Sequence, residues 1–269
     1  MIDPGEDQAA GLRRLFRRAP PCVVALYATG RHRAHIAVQT AHRIAGQALR
    51  VLVLDEAPGA DALAQVLQVP AGVDLLSVLG GRIDPAALLQ PVPGLLGRVP
   101  VSAAALALPL LDDERRECLV GALRSLQRHA GFVLIHAAGA AADDPSPFVF
   151  AAPRRLVVAE ASRSGATEAY RVIKQLAAAG AGSLHVAVSR ARSRAEAGAF
   201  FASLEELVGC HVGVPLAWLG EVERDDLAGG LAEGSAEASP RHAEAAFLRR
   251  LSALGRGGGR SLGRVGLSP

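Results

Sequence analysis

From Cys22 onward the apolar positions alternate between two rhythms. Short continuous runs rich in β-branched residues, such as CVVALYA (22–28), RVLVLD (50–55) and FVLIHAA (132–138), have the make-up of strands buried on both faces. Between them lie segments with apolar residues three and four apart: HIAVQTAHRIAGQAL (35–49), ERRECLVGALRSLQRHA (114–130) and TEAYRVIKQLAAAG (167–180). That spacing puts one apolar stripe on a helix. Strands are expected near 22–28, 51–55, 131–136, 155–159, 184–189 and 214–219, with further helices over 192–208 and 241–254. DALAQVL and DLLSVLGG read as short helices, the second closed by Gly80-Gly81, and residues 94–108 as one or two irregular strands. Strand–helix alternation of this kind predicts an α/β fold, a mostly parallel twisted sheet flanked by helices on both faces.

Ahead of this domain, residues 7–18 carry Leu12, Leu15 and Phe16 on one helical stripe among four arginines. Ala19-Pro20-Pro21 ends that helix, because proline disfavours helix at and before its own position. The chain therefore divides into a helix and linker over 1–20, an α/β domain over 21–255 and a Gly/Arg-rich tail over 256–269. The tail has no strand before it, so its glycines are not a dinucleotide-binding turn, and it reads as a disordered end.

Half of the 269 residues are hydrophobic and a fifth are charged, which suits a chain with a sizeable core. No apolar run reaches the ~18 residues of a membrane-spanning helix, and the first twenty lack the apolar stretch of a signal peptide. Cys22, Cys118 and Cys210 are scattered without metal-ligand spacing. They fit a reducing cytoplasm and read as small buried hydrophobes. A net charge of +3 says little about an acidic partner. The abundance of Ala, Gly and Arg has one chemical consequence. Lys174 is the only lysine, so any site that needs an ammonium group must use it or do without.

In an open α/β sheet, ligands bind at the C-terminal ends of the strands. The first such loop, ATGRHRAH (28–35), lacks the glycines, lysine and Ser/Thr of a phosphate-binding loop. His32, His35 and His42 have no carboxylate or cysteine beside them in sequence and read as solvent-facing residues rather than metal ligands. His136, at a strand end, has no Ser or Cys nucleophile in a recognisable turn. No catalytic residue is assigned.

The order of strand, loop and helix, followed by VLVLDEAPGADALAQVLQVPAGVDLLSVLGG, resembles the ParA/MinD class of P-loop ATPases over residues 20–255. Within that class the chain resembles the FlhG (YlxH/FleN) group. Asp7, Gln8, Ala9, Leu12 and Arg13 match its DQAxxLR motif, and TEAYRVIK (167–174) is similar to its DAYxxIK helix start, with Glu168 in place of Asp. The resemblance implies a SIMIBI-type fold and a cleft holding Gly30, Arg33, Asp55, His136 and Asp225. It also shows what is missing. Arg33 stands at the Walker lysine and Ala34 at the magnesium-binding Thr. Ala57 and His136 replace two acidic positions, and Ser189 replaces the asparagine that reads adenine. The loop is about two residues short, while Asp55 and Asp225 match acidic positions of the family.

Arginine is a planar fork where the loop needs a compact point charge, and each lost charge-assisted contact is worth about 1.5–3 kcal/mol. These departures imply a pseudo-ATPase without ATP or Mg²⁺. The resemblance implies a regulator of flagellar number and placement that contacts an FlhF-like SRP-type GTPase through Asp7, Gln8, Leu12 and Arg13. Flagellar basal-body components or a transcription regulator would be further partners. Two alternatives stay open: an active ATP- and membrane-gated ATPase, and a ParA-like cargo or DNA-partitioning factor. The last helix, 242–255, carries Phe247, Leu248, Leu251 and Leu254 opposite Arg249 and Arg250. It is expected to dock on the core, with peripheral contact to the inner membrane or cell pole as the other reading.

Overall fold

The computed structural model describes residues 21–47, 50–59, 62–137, 145–181, 184–233 and 240–254, with the side chains of the last stretch described from residue 246. The helix expected over 7–18, with its Asp7, Gln8, Leu12 and Arg13, and the tail over 256–269 lie outside the described residues. The elements run β1 (Cys22–Ala28), α1 (Arg33–Ala45), β2 (Val51–Asp55), α2 (Leu63–Leu67), β3 (Gly97–Pro100), α3 (Ser102–Ala107), α4 (Asp113–Leu126), β4 (Phe132–His136), α5 (Pro147–Ala151), β5 (Arg154–Glu160), α6 (Arg163–Ala178), β6 (Leu184–Ser189), α7 (Arg194–His211), β7 (Leu216–Glu221), α8 (Leu227–Glu233) and α9 (Pro240–Ala253).

The strands form one seven-stranded sheet in the order β3-β2-β4-β1-β5-β6-β7, and every neighbouring pair is parallel. Successive side chains point to opposite faces of a strand, so a run such as VVALY serves two cores at once. Val24 and Leu26 pack with Ile36, Ala41 and Ile44 of α1 and Leu227 and Leu231 of α8. Val23, Ala25 and Tyr27 face the larger core, with Leu119 and Leu123 of α4, Phe148, Ile173 and Phe247. Both faces being covered explains why these strands read as unbroken apolar runs.

Several expectations are corrected. Only residues 97–100 of the 94–108 stretch are strand, and Ser102–Ala107 is helix. The run SAAALA has high helix propensity, and the distant Asp74 carboxylate accepts the Ala103 and Ala104 N–H groups at 2.9 and 3.0 Å. Residues 75–80 form the expected short helix, of the 3-10 type. The last strand begins at Leu216, two residues beyond the expected start, because Pro215 cannot donate to the ladder. Cys118 and Cys210 are exposed, on the outer faces of α4 and α7, and only Cys22 is partly buried.

The last helix docks on the core, against α4, α5 and β1. Phe247, Leu248 and Leu251 are buried, so these apolar residues of the helix pack against the core. Among the described residues no helix is long and apolar enough to cross a membrane.

Candidate functional site

The fold brings the C-terminal ends of β1, β2, β4, β5 and β6 to one edge of the sheet. Between β1 and α1 lie only Thr29, Gly30, Arg31 and His32, and Arg33 is the first residue of α1. Gly30 has φ +91°, a conformation that L side chains rarely adopt. His32, at the N-cap, offers no side-chain cap to its own helix. The loop's N–H groups are answered from elsewhere in the chain. Gly30 N–H donates to Glu168 Oε2 at 2.8 Å, and His32 N–H donates to Glu160 Oε2 at 3.3 Å. The His32 ring Nδ1 lies 3.0 Å from Glu160 Oε1. Thr29 Oγ1 donates to the Gly165 carbonyl at 3.0 Å and ties the loop to the start of α6. Glu160 ends β5 and is buried. Burial alone would raise its carboxyl pKa, but the hydrogen bonds from His32, aided by its charge and that of Arg190, lower it below the usual carboxylate range.

A second group of charges sits under β2. Register places Asp55 opposite His136 on β4 and beside Pro100 on β3. The Asp55 carboxylate is fully buried and saturated. Its Oδ1 lies 2.8 Å from His136 Nδ1, and its Oδ2 accepts from Arg98 Nε and pairs with Arg98 Nη2, both at 2.7 Å. The backbone N–H groups of Leu63 and Ala57 add bonds at 2.9 and 3.3 Å. Burial pushes the Asp55 pKa up, but the bond and charge of His136, then those of Arg98, carry it below the ordinary value. Arg98 also donates through Nη1 to Gln90 Oε1 at 2.6 Å and to the Ala71 carbonyl at 3.0 Å. This cluster staples β2, β3, β4 and the loop into α2.

Asp225 lies apart from both groups. Its Oδ2 accepts the Glu221 N–H at 2.8 Å, and its Oδ1 pairs with Arg194 at 2.7 Å, so it closes the turn after β7. Ser189 Oγ donates to Glu223 Oε1 at 2.7 Å, and the Arg190 N–H donates to the same oxygen at 3.0 Å. Of the five cleft residues expected from sequence, Gly30 lies in the β1–α1 loop and Arg33 opens α1 just after it, Asp55 and His136 bond to each other, and Asp225 stands alone.

His32 and His42 are not merely solvent-facing. His32 binds Glu160, and the His42 ring lies 2.9 Å from the Val38 carbonyl and 3.0 Å from that of Pro93. Among the described residues, no three His, Cys, Asp or Glu side chains gather as a metal site would need.

Sequence reasoning missed Arg98 and Glu160. Arg98 interrupts an otherwise apolar strand, and a charge there signals a buried partner. Glu160 ends the strand beside β1, where ligands of open α/β sheets collect. In front of the loop opens a cleft of about 740 Å³, lined by Arg31, His32, Arg163 and Arg171 with Glu160 and Glu168.

The sequence matches no protein-family model and no curated protein. Its structure is similar to a chain of the MinC:MinD cell division protein complex of Aquifex aeolicus, at 19% identity and TM-score 0.51, covering 91% of this chain and 99% of that one. It is similar to the MinD cell division protein of the same organism, at 20% identity and TM-score 0.50, over 85% and 95% of the two chains. A ParA family ATPase from Chlorobium tepidum gives 15% identity and TM-score 0.50, over 87% and 98%. At these identities the likeness is one of fold, and the chain has the parallel α/β architecture of the MinD and ParA-family ATPases.

Proposed function

We propose that this chain is an FlhG-like regulator of flagellar number and placement that works through protein contacts and does not turn over ATP. The observation that carries the pseudo-ATPase reading is the state of Asp55. By the resemblance it stands at an acidic position of the family's cleft, and both of its oxygens are taken up by Arg98 and His136. A magnesium ion would have to compete with a buried guanidinium, and the loop above has Arg33 in place of a lysine. These groups do not fit a Mg²⁺-triphosphate, so no catalytic step is drawn through one. One of the similar structures is a MinC:MinD complex, which supports a role through protein partners.

The partner reading rests on residues 7–13. An activator helix need only place the Gln8 amide beside the attacking water of an FlhF-like GTPase, which requires no nucleotide on its own chain. Leu12 would anchor the contact, and Arg13 would steer the encounter.

Two measurements test the proposal. Calorimetric titration of the full chain with ATP·Mg²⁺ should show no binding below millimolar concentration, and a micromolar affinity would overturn the pseudo-ATPase reading. A peptide of residues 1–20 should stimulate GTP hydrolysis by FlhF. An unchanged rate at saturating peptide would remove the activator role. The ATPase-like fold favours a second reading, an ATP-gated switch, and the same titration separates the two.

A further inference from the structure

Phosphate-binding loops work because backbone N–H groups at a helix N-terminus converge on an anion, where the helix dipole favours negative charge. Here that position is already filled. The two oxygens of Glu160 meet the His32 N–H and the His32 ring at 3.3 and 3.0 Å, and Glu168 takes the Gly30 N–H at 2.8 Å.

The loop is also shaped around this carboxylate. A Cβ added to Gly30 would lie 2.2 Å from Glu160 Oε2, so the space between the loop and this carboxylate has no room for a side chain. Arg190 reaches toward Glu160 from the end of β6, at 3.8 Å, with its backbone in the left-handed region at φ 62°. A charged group in this setting is stable only if its partners are in place, because an unpaired buried charge is costly.

We propose that the Glu160 carboxylate is the resident ligand of an anion cradle at the N-terminus of α1. It is a built-in substitute for phosphate that keeps the β1–α1 loop closed in the absence of nucleotide. The inference deepens, and rests on, the reading of this cleft as one that takes no ATP. Its functional content is that the surface around the loop has a single conformation. A partner that recognises it meets the same face whatever the cellular nucleotide level.

Vacating the cradle should expose it to small anions. Thermal unfolding of the full chain is compared in chloride and in inorganic phosphate at matched ionic strength. Wild type should melt at the same temperature in both. Glu160→Ser should melt lower in chloride, and about 10 mM phosphate should raise its midpoint by about 2–4 °C. Glu160→Ala empties the same space, so it serves if the serine variant does not fold. In that variant the His32 amide resonance should move when phosphate is added, and in wild type it should stay.

The outcomes separate the two readings. If both variants are as indifferent to phosphate as wild type, the resident-ligand proposal is overturned while the pseudo-ATPase reading stands. If wild type itself responds to phosphate as strongly as Glu160→Ser does, the proposal is likewise overturned. Micromolar binding of ATP·Mg²⁺ by wild type sinks the pseudo-ATPase reading, whatever the variants do.

Discussion

Arg98→Met should be among the most damaging single substitutions in the sheet. Arg98 and Asp55 are both almost wholly buried, joined by two contacts of 2.7 Å. Methionine keeps much of the arginine stem's volume, so the apolar packing changes little and the effect is electrostatic. What remains is a buried Asp55 carboxylate held only by His136 and two backbone N–H groups.

Breaking a buried ion pair from one side costs about 3–5 kcal/mol. The lost bonds from Arg98 to Gln90 and to the Ala71 carbonyl place the expected value at the upper end. With a urea m-value of about 2–3 kcal/mol/M, the unfolding midpoint should fall by about 1.5–2.5 M. Adding Asp55→Asn should recover part of the loss. The asparagine removes the stranded charge, and its remaining oxygen can still accept the Leu63 N–H. The assay is equilibrium urea unfolding followed by far-UV circular dichroism. A midpoint within about 0.3 M of wild type for Arg98→Met, or a double variant less stable than the single one, would refute the reasoning.

Gly30→Ala should destabilise the chain by about 1–3 kcal/mol, since it adds a positive-φ penalty to a clash with Glu160, and urea unfolding reads the loss. Pairing it with Glu160→Ser should cost less than the sum of the two single effects if the clash is the cause. Asp55 and Glu160 are both held below the usual carboxylate range when folded. Their stabilisation is therefore complete above about pH 4.5 and is lost as the pH falls through their folded values. Glu160→Gln should flatten the acid limb of the stability profile, and a limb as steep as wild type would contradict this. Phe247→Ala should cost about 3–5 kcal/mol, because its ring is fully buried beneath α9. For the same reason, the wild-type chain should not co-sediment with anionic vesicles through this helix, and binding abolished by altering 247–251 would show the opposite.

The sheet was legible because its evidence is local. The run VLVL (51–54) is apolar at every position, and that pattern calls for both faces to be covered. Six of the seven strands announce themselves in this way. The seventh, GRVP, is four residues long and contains an arginine, so the sequence places it only as an irregular strand somewhere within 94–108. The Ala-rich segment after it looked strand-like until a carboxylate some thirty residues away supplied the cap that makes it helical.

The cleft divides along the same line. The absence of a lysine, and the presence of Arg33 and Ala34 where a phosphate loop needs other chemistry, could be read residue by residue. The groups that took over could not. Asp55 meets Arg98 across 43 positions and His136 across 81, and His32 meets Glu160 across 128. Charge pairing acts through space over a few ångströms, and only strand order and register decide which charges come that close. The sequence by itself therefore determined the parallel sheet and the absence of a glycine-, lysine- and Ser/Thr-bearing loop after its first strand. The tertiary structure decided that the remaining charges would satisfy one another, because only the folded sheet brings them within hydrogen-bonding distance.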